Sequence, residues 1–530
     1  MKNKKETLLI LIILITISII IFNRDKLYEA KYTEPKDTLL AITINGEIST
    51  TFPTTAAYET SVECTTGTGK VEWNGTKWVL TTSGITKGST KCNAIFKQTL
   101  RQSILANNEV KTPLTTPGKE VSAHTKDDVE SQTTSVSSTE QAYYITYGTG
   151  YEANGTKFNL TGTAVTSDTY ANSYSSLVGK YLPDSSISSS GSKTAGTMKT
   201  TTNLSSVYYV VSATQESFTY KVISSNKNTT EALLASTSDD YGTSYYFRGA
   251  VKNNYVQFAN KCWRIVRITG DGSVKLVLHN DNTAGAANPC SSANNSTNAA
   301  FARFSGTTYK SAFNSSYNDN AYIGFKYGTP GSSTYEATHA NTNKSTILTN
   351  LETWYNNNLK TYESVIADTV WCNDKTNVTD TTYDPYGWHP NGYGYGKNVT
   401  YYGATQRLAS KSNSAGGTGP SLKCNGELSK INSKVGLITA DELAFAGYAN
   451  GLQNTTTYLQ ENATGNWWWS LSPRYFGGGG AGVWVVLGGG GVFGDDLVGS
   501  TFGVRPSISL KSTTNVTGNG TSSTPFIISM

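Results

Sequence analysis

What most constrains this chain is a recurrence of short alternating apolar and polar runs, each closed by residues that accept a positive φ. Leu40 to Ile44 alternates and meets Asn45-Gly46, a pair suited to a type I′ turn. Val71 and Trp73 lead to a second turn at Asn74-Gly75, and Trp78-Val79-Leu80 returns. Farther on, Trp263 to Ile268 and Val274 to Leu278 are joined by Thr269-Gly270-Asp271-Gly272. Strand period with tight turns predicts antiparallel hairpins, hence a mainly β protein with a few helices, of the α+β class.

Composition says what kind of surface such a fold presents. Only 15% of the 530 residues are charged and 33 are Tyr, against about 25% charged in an ordinary soluble protein. Thr, Ser, Asn and Tyr therefore face water in place of Lys and Glu, as in extracellular β-rich surface proteins. With 11% aromatic residues and a formal charge of +5, the chain is neither disordered nor a fibrous rod. So small a charge over this length makes no basic stripe, which leaves nucleic-acid binding without electrostatic support.

Export is read from the N-terminus. Lys2, Lys4 and Lys5 precede an apolar run from Leu8 to Phe22, stopped by Asn23-Arg24-Asp25-Lys26. The run is short for a spanning helix, which needs about 17–25 residues, and a cleaved signal peptide is the competing expectation. No A-x-A-like triplet follows, so residues 1–26 are expected to remain as a signal-anchor helix. The localisation that follows is a single-pass cell-membrane protein with its bulk outside.

In an exported chain the six cysteines read as disulfides. Sequence alone leaves several connectivities open; pairing within domains gives Cys64 with Cys92 and then, most simply, Cys262 with Cys290 and Cys372 with Cys424. No C-x-x-C occurs, and His124, His279, His339 and His389 are scattered, so neither a metal nor a cofactor is expected.

Residues 36–97 are expected to form a small β-sandwich whose Cys64, Trp78, Cys92 order is immunoglobulin-like, although the cysteines lie too close in sequence for a true immunoglobulin pair. A short helix carrying Leu100, Ile104 and Leu105 on one face opens a linker over 98–141, and 142–230 is read as a second β module. The C-terminal domain is expected over 241–511, with 512–530 a tail. Within it, Ile347, Leu351, Trp354, Tyr355 and Leu359 recur at helical spacing, and Thr439-x-x-Glu442 is a capping box, which makes Glu442 a helix cap rather than a catalytic acid. Closing strands are expected at 467–473, 482–487, 491–494 and 503–510, and on the first of them Trp467 and Trp469 share one face and Trp468 takes the other.

Four stretches carry a resemblance: YYFRGAVKNNYVQFANKCWRIVRITGDGSVKL at 245–276, VGLITADELAFAG at 435–447, WWWSLSP at 467–473 and GVRP at 503–506. Together they resemble the C-type-lectin-like fold, in the branch that contains the formylglycine-generating enzyme and bacterial variable receptor proteins, and most closely an uncharacterised family of surface proteins of Gram-positive bacteria. The resemblance implies no oxidase, because no Cys follows Cys424. In the receptors the ligand meets the region that corresponds here to Arg474 through Asp496, which is read as a Gly-rich loop. Calcium-dependent sugar binding lacks a cluster of oxygen ligands. Arg505 is expected beneath these strands, capping carbonyls or paired with a carboxylate, with a ligand role as the alternative.

Binding is expected where aromatics are interleaved with Gly and Asn, in the insertion between Cys372 and Cys424 and in the region after Arg474. The residues singled out are Tyr475, Phe476, Trp484, Trp388, Tyr401 and Tyr402, as an exposed face for an extracellular glycan or protein; the competing reading makes Trp484 and the Tyr401-Tyr402 pair core. No nucleophile elbow or spaced carboxylate pair appears, and Asp495 and Asp496 point apart on an extended chain, so no enzyme is expected. The alternatives are a structural component of the envelope or of a pilus-like assembly and, after that, a secreted hydrolase.

Overall fold

The computed structural model describes residues 39–86, 89–113, 115–119, 231–488 and 492–528, together with the backbone of six short strands between 151 and 223. The expected anchor, residues 1–26, lies outside the described residues, as does most of the expected linker. No helix among the described residues is long and apolar enough to cross a membrane. The protein is mainly β with a few short helices, and it divides into two compact units, Met1–Gln98 and Thr99–Met530.

In the first unit, Asn45 and Gly46 both take positive φ (50° and 93°), and the turn they make pairs Leu39–Ile44 with Glu47–Ser49. Lys91–Lys97 runs parallel to Leu39–Ile44 and antiparallel to Glu59–Cys64. Its inward residues Ala94 and Phe96 meet Val71 and Trp78 from the separate hairpin Thr68–Trp73 and Trp78–Ser83. That hairpin and the four-stranded sheet share one small core. Cys64 and Cys92 are bonded and lie opposite each other on neighbouring strands of one sheet. The bridge therefore differs from an immunoglobulin pair, which ties one sheet to the other.

Within the second unit, Val207–Ala213 and Phe218–Ile223 form an antiparallel pair extended by Tyr181–Pro183, and Tyr151–Ala153 joins Thr156–Phe158 and Met198–Lys199 in a second small sheet.

The C-terminal core is wider than the limits 241 and 511 allow. Ala232–Asp239 pairs along its full length with Gly242–Gly249, and the helix Leu100–Asn107 buries Leu100 and Ile104 in the same core. Without Phe526–Ile528, which pairs in parallel with Tyr255–Phe258, that strand would present an open edge. This sheet continues through Lys261–Ile268 and Val274–Asn280 to Ser507–Leu510. A second sheet holds Lys310–Ala312, Thr501–Gly503, Trp468–Gly477, Gly480–Leu487 and Val492–Leu497, with Thr400–Tyr401 paired to Trp468–Gly477. The helix Thr346–Asn358 contributes Ile347, Leu351 and Trp354 to one core with both sheets.

Two sequence expectations change here. Residues 503–510 do not make one strand: Gly503 ends in the second sheet and Ser507 begins in the first, with Val504-Arg505-Pro506 crossing between. Pro506 has no N–H to give a ladder. Arg474 to Asp496, read as a loop region around strands at 482–487 and 491–494, is a three-stranded meander in which Gly480–Leu487 and Val492–Leu497 are those strands, turning at Gly478 and Gly479, both at positive φ. The tryptophan alternation is as expected: Trp467 and Trp469 both pack on Phe502, at 5.0 and 4.8 Å, while the Trp468 ring lies 5.0 Å from the Arg505 guanidinium.

Candidate functional site

The glycines that argue against strands from sequence are what allow aromatic rings to lie against them. A Cβ on Gly477 would overlap the indole of Trp388, and one on Gly482 would sit 2.6 Å from the Tyr475 ring. Trp388 stacks on Tyr386 at 4.4 Å, and Tyr475 meets both edge-on at 5.0 and 5.3 Å. The insertion is thus pinned to the hairpin by ring-on-backbone packing. Replacing Gly477 with Ala should lower stability by about 1–3 kcal/mol through overpacking. A urea titration checks this, and the loss should shrink when Trp388 is also Ala.

Burial corrects the expected binding face. Trp484, Tyr401 and Tyr402 are fully buried, and Tyr475 and Phe476 nearly so; Trp388 alone of the six is half-buried. Tyr401, Tyr475 and Trp388 come together in one aromatic cluster, whereas Tyr402, Phe476 and Trp484 belong to the main core. Their polar groups are turned inward as well. Tyr386 and Tyr475 donate their hydroxyls to the two oxygens of Asp495, at 2.9 and 2.8 Å, and Tyr401 donates to Asp384 at 2.8 Å. Burial pushes the Tyr386 hydroxyl up to about 12, with Arg474 pulling it down and Asp495 holding it up. Arg474 itself stacks 3.9 Å from the Trp484 ring and pairs with Asp495 at 2.9 Å. Asp495 and Asp496 do diverge, since Asp496 instead accepts from the Leu497 N–H at 2.7 Å.

What remains exposed around this cluster is a rim: Tyr393 belongs to the insertion where binding is expected, while Tyr317 and Leu497 are not among the residues singled out from sequence. Tyr317 is 48% exposed, Tyr393 55% and Leu497 37%. Tyr317 and Leu497 both border Gly480, and the Tyr317 carbonyl accepts from the Ala481 N–H at 2.8 Å. Asn320 donates both its backbone and side-chain N–H to Gly396 at 2.9 Å, which draws the loop carrying Tyr393 alongside. Tyr317 stands in Asn-Ser-Ser-Tyr-Asn-Asp-Asn and Tyr393 in Asn-Gly-Tyr-Gly-Tyr. Tyr393 stacks on Tyr395 at 5.7 Å, whereas Tyr317 is a lone aromatic among small and polar neighbours, and that signal could have found it.

A second feature is a cleft lined by charge. Arg267 meets Asp239 at 2.7 Å and Glu442 at 2.9 Å, and the Lys275 ammonium lies 2.7 Å from both Glu442 oxygens. Arg407 clamps Asp441 at 2.7 and 2.8 Å and reaches Asp374 at 2.7 Å. The Cys372–Cys424 bridge forms part of the wall. The Cys262–Cys290 bond lies elsewhere, with Tyr255. Water-accessible space in the cleft is about 40 Å³, room for a few waters. Glu442 also completes the capping box, with Thr439 and Glu442 satisfying each other's backbone N–H groups. These carboxylates are committed to cations, so the cluster acts as a clasp between Lys261–Ile268, Val274–Asn280 and the helix Ala440–Phe445.

Burial raises the Glu442 carboxyl, but Lys275 and Arg267 outweigh it and hold it near 2; burial pushes the Lys275 ammonium down to about 8 against the pull of Glu442. The Glu442 value lies below the ordinary 4.5, so the unfolded chain takes up the proton first as pH falls. Its stabilisation is complete above about pH 4.5 and is lost progressively down to about pH 2. Urea titrations across that window should show the decline, and Glu442→Gln should flatten it.

Compared with known proteins, the chain matches no family model, no curated protein and no solved structure.

Proposed function

We propose that this is a membrane-anchored extracellular surface protein whose C-terminal unit, lectin-like in fold, recognises a glycan or protein with the face formed by Tyr317, Tyr393, Leu497 and the outer edge of Trp388. The observation that carries the reading is the contrast in that region. An inner set of aromatics is buried with its hydroxyls spent on Asp384 and Asp495, and directly beside it Tyr317 and Tyr393 stand exposed on backbone tied to the same hairpin. Tyr presents a large amphipathic area with few rotamers to freeze, and here a rigid core supports it. The charged cleft supports a binding scaffold over hydrolysis, since its carboxylates sit in ion pairs. Probing glycan and surface-protein arrays with the full chain identifies the ligand class. Capture should be lost in the double variant Tyr317→Ala/Tyr393→Ala, and equal capture by that variant would rule this face out.

A further inference from the structure

Arg505, in the crossing between the two sheets, is 1% exposed. Its Nε donates to the Leu278 carbonyl at 2.8 Å and its Nη1 to the Leu459 carbonyl at 2.5 Å, while Nη2 has no partner. Four more polar atoms without partners are buried in the same region: Trp468 Nε1, Gln460 Nε2, Tyr458 Oη and His279 Nδ1, and the Arg505 charge acts on both Tyr458 and His279. The Trp468 ring is 5.0 Å from the guanidinium, Tyr458 and Gln460 flank the Leu459 that accepts Nη1, and His279 follows the Leu278 that accepts Nε. The His279 Nε2 faces the side-chain amide nitrogen of Asn462 at 3.2 Å. That nitrogen only donates, so Nε2 accepts and the ring proton is on Nδ1.

Every one of these unpartnered atoms can donate, and apart from the Tyr458 hydroxyl none can accept. A water molecule there would bring two protons in need of acceptors, whereas an anion takes donors alone. Charge leads the same way. Arg264 and Arg505 are both buried, and the carboxylate near them, Glu461, already accepts from Arg264 at 2.6 Å and Tyr255 at 2.7 Å. Among the described residues Arg505 has no ion pair, and a buried guanidinium without a counter-charge is costly. Burial, with Arg264 adding to it, drives Arg505 down to about 10.

We propose that Arg505, Trp468, Gln460, Tyr458 and His279 together bind a halide ion, chloride under ordinary conditions, as a structural ligand of the C-terminal unit. Crystals of the full chain grown in sodium bromide should show an anomalous peak between Arg505 Nη2 and Trp468 Nε1; ordered water there without anomalous signal would overturn the assignment. In solution, replacing chloride by gluconate at constant ionic strength should lower Tm by about 2 °C or more. Trp468→Phe keeps an aromatic ring and removes the donor, so it should abolish most of that difference. Equal Tm in the two salts, or an undiminished difference in Trp468→Phe, would contradict the proposal.

Discussion

Replacing Glu442 with Ala should destabilise the C-terminal unit by about 3–5 kcal/mol, because it leaves Lys275 and Arg267 as buried cations short of a counter-charge. The ammonium loses both of its carboxylate contacts, and Arg267 keeps Asp239 alone. The Thr439 N–H also loses its acceptor at 2.9 Å, opening the first turn of the helix Ala440–Phe445. Glu442→Gln should cost less, since the amide oxygen still accepts at that cap. A double variant with Lys275→Met and Glu442→Met should recover much of the loss, because removing both partners leaves no stranded charge. Urea midpoints for the three variants check the order. A Glu442→Ala protein as stable as the parent would show that the clasp contributes nothing.

Trp484→Ala should cost about 3–5 kcal/mol, as large aromatic truncations in a core do. The ring is fully buried, stacks on Phe493 at 4.6 Å and supports the Arg474 guanidinium at 3.9 Å. Its loss removes packing and the face on which a buried cation rests, so Tm should fall. If Trp484 were instead a ligand contact on an exposed face, Tm would hold while capture dropped. Thermal melts therefore decide between its two readings without knowledge of the ligand.

Features encoded within a few residues were legible in the sequence. The Thr439-x-x-Glu442 box, the Asn45-Gly46 turn, the 346–358 helix and the alternation at Trp467 to Trp469 each depend on local period or capping. The disulfides followed from proximity along the chain, because each closes a short loop. What stayed hidden depends on contacts distant in sequence. Gly477 and Gly482 look like strand breakers until Trp388 and Tyr475 are seen lying on them. The clasp draws on Asp239, Arg267, Lys275, Asp374, Arg407, Asp441 and Glu442, and nothing in their spacing announces that they meet. The burial of the aromatics expected to be exposed was hidden for a related reason. Aromatic density marks either an exposed surface or a small core, and only partners from another segment, such as Asp495 for Tyr386 and Tyr475, distinguish the two. The isolated Tyr317 was outweighed by the dense cluster.

The most direct test of the central claim is an equilibrium titration of the captured ligand against the full chain and against Tyr317→Ala/Tyr393→Ala, with Tm measured on the same samples. Central interface aromatics are worth about 2 kcal/mol or more when truncated, so Kd should rise about 30-fold or more. Both side chains are about half exposed, so Tm should stay within about 1 °C of the parent. An unchanged Kd with an unchanged Tm would contradict the account and place recognition elsewhere on the molecule.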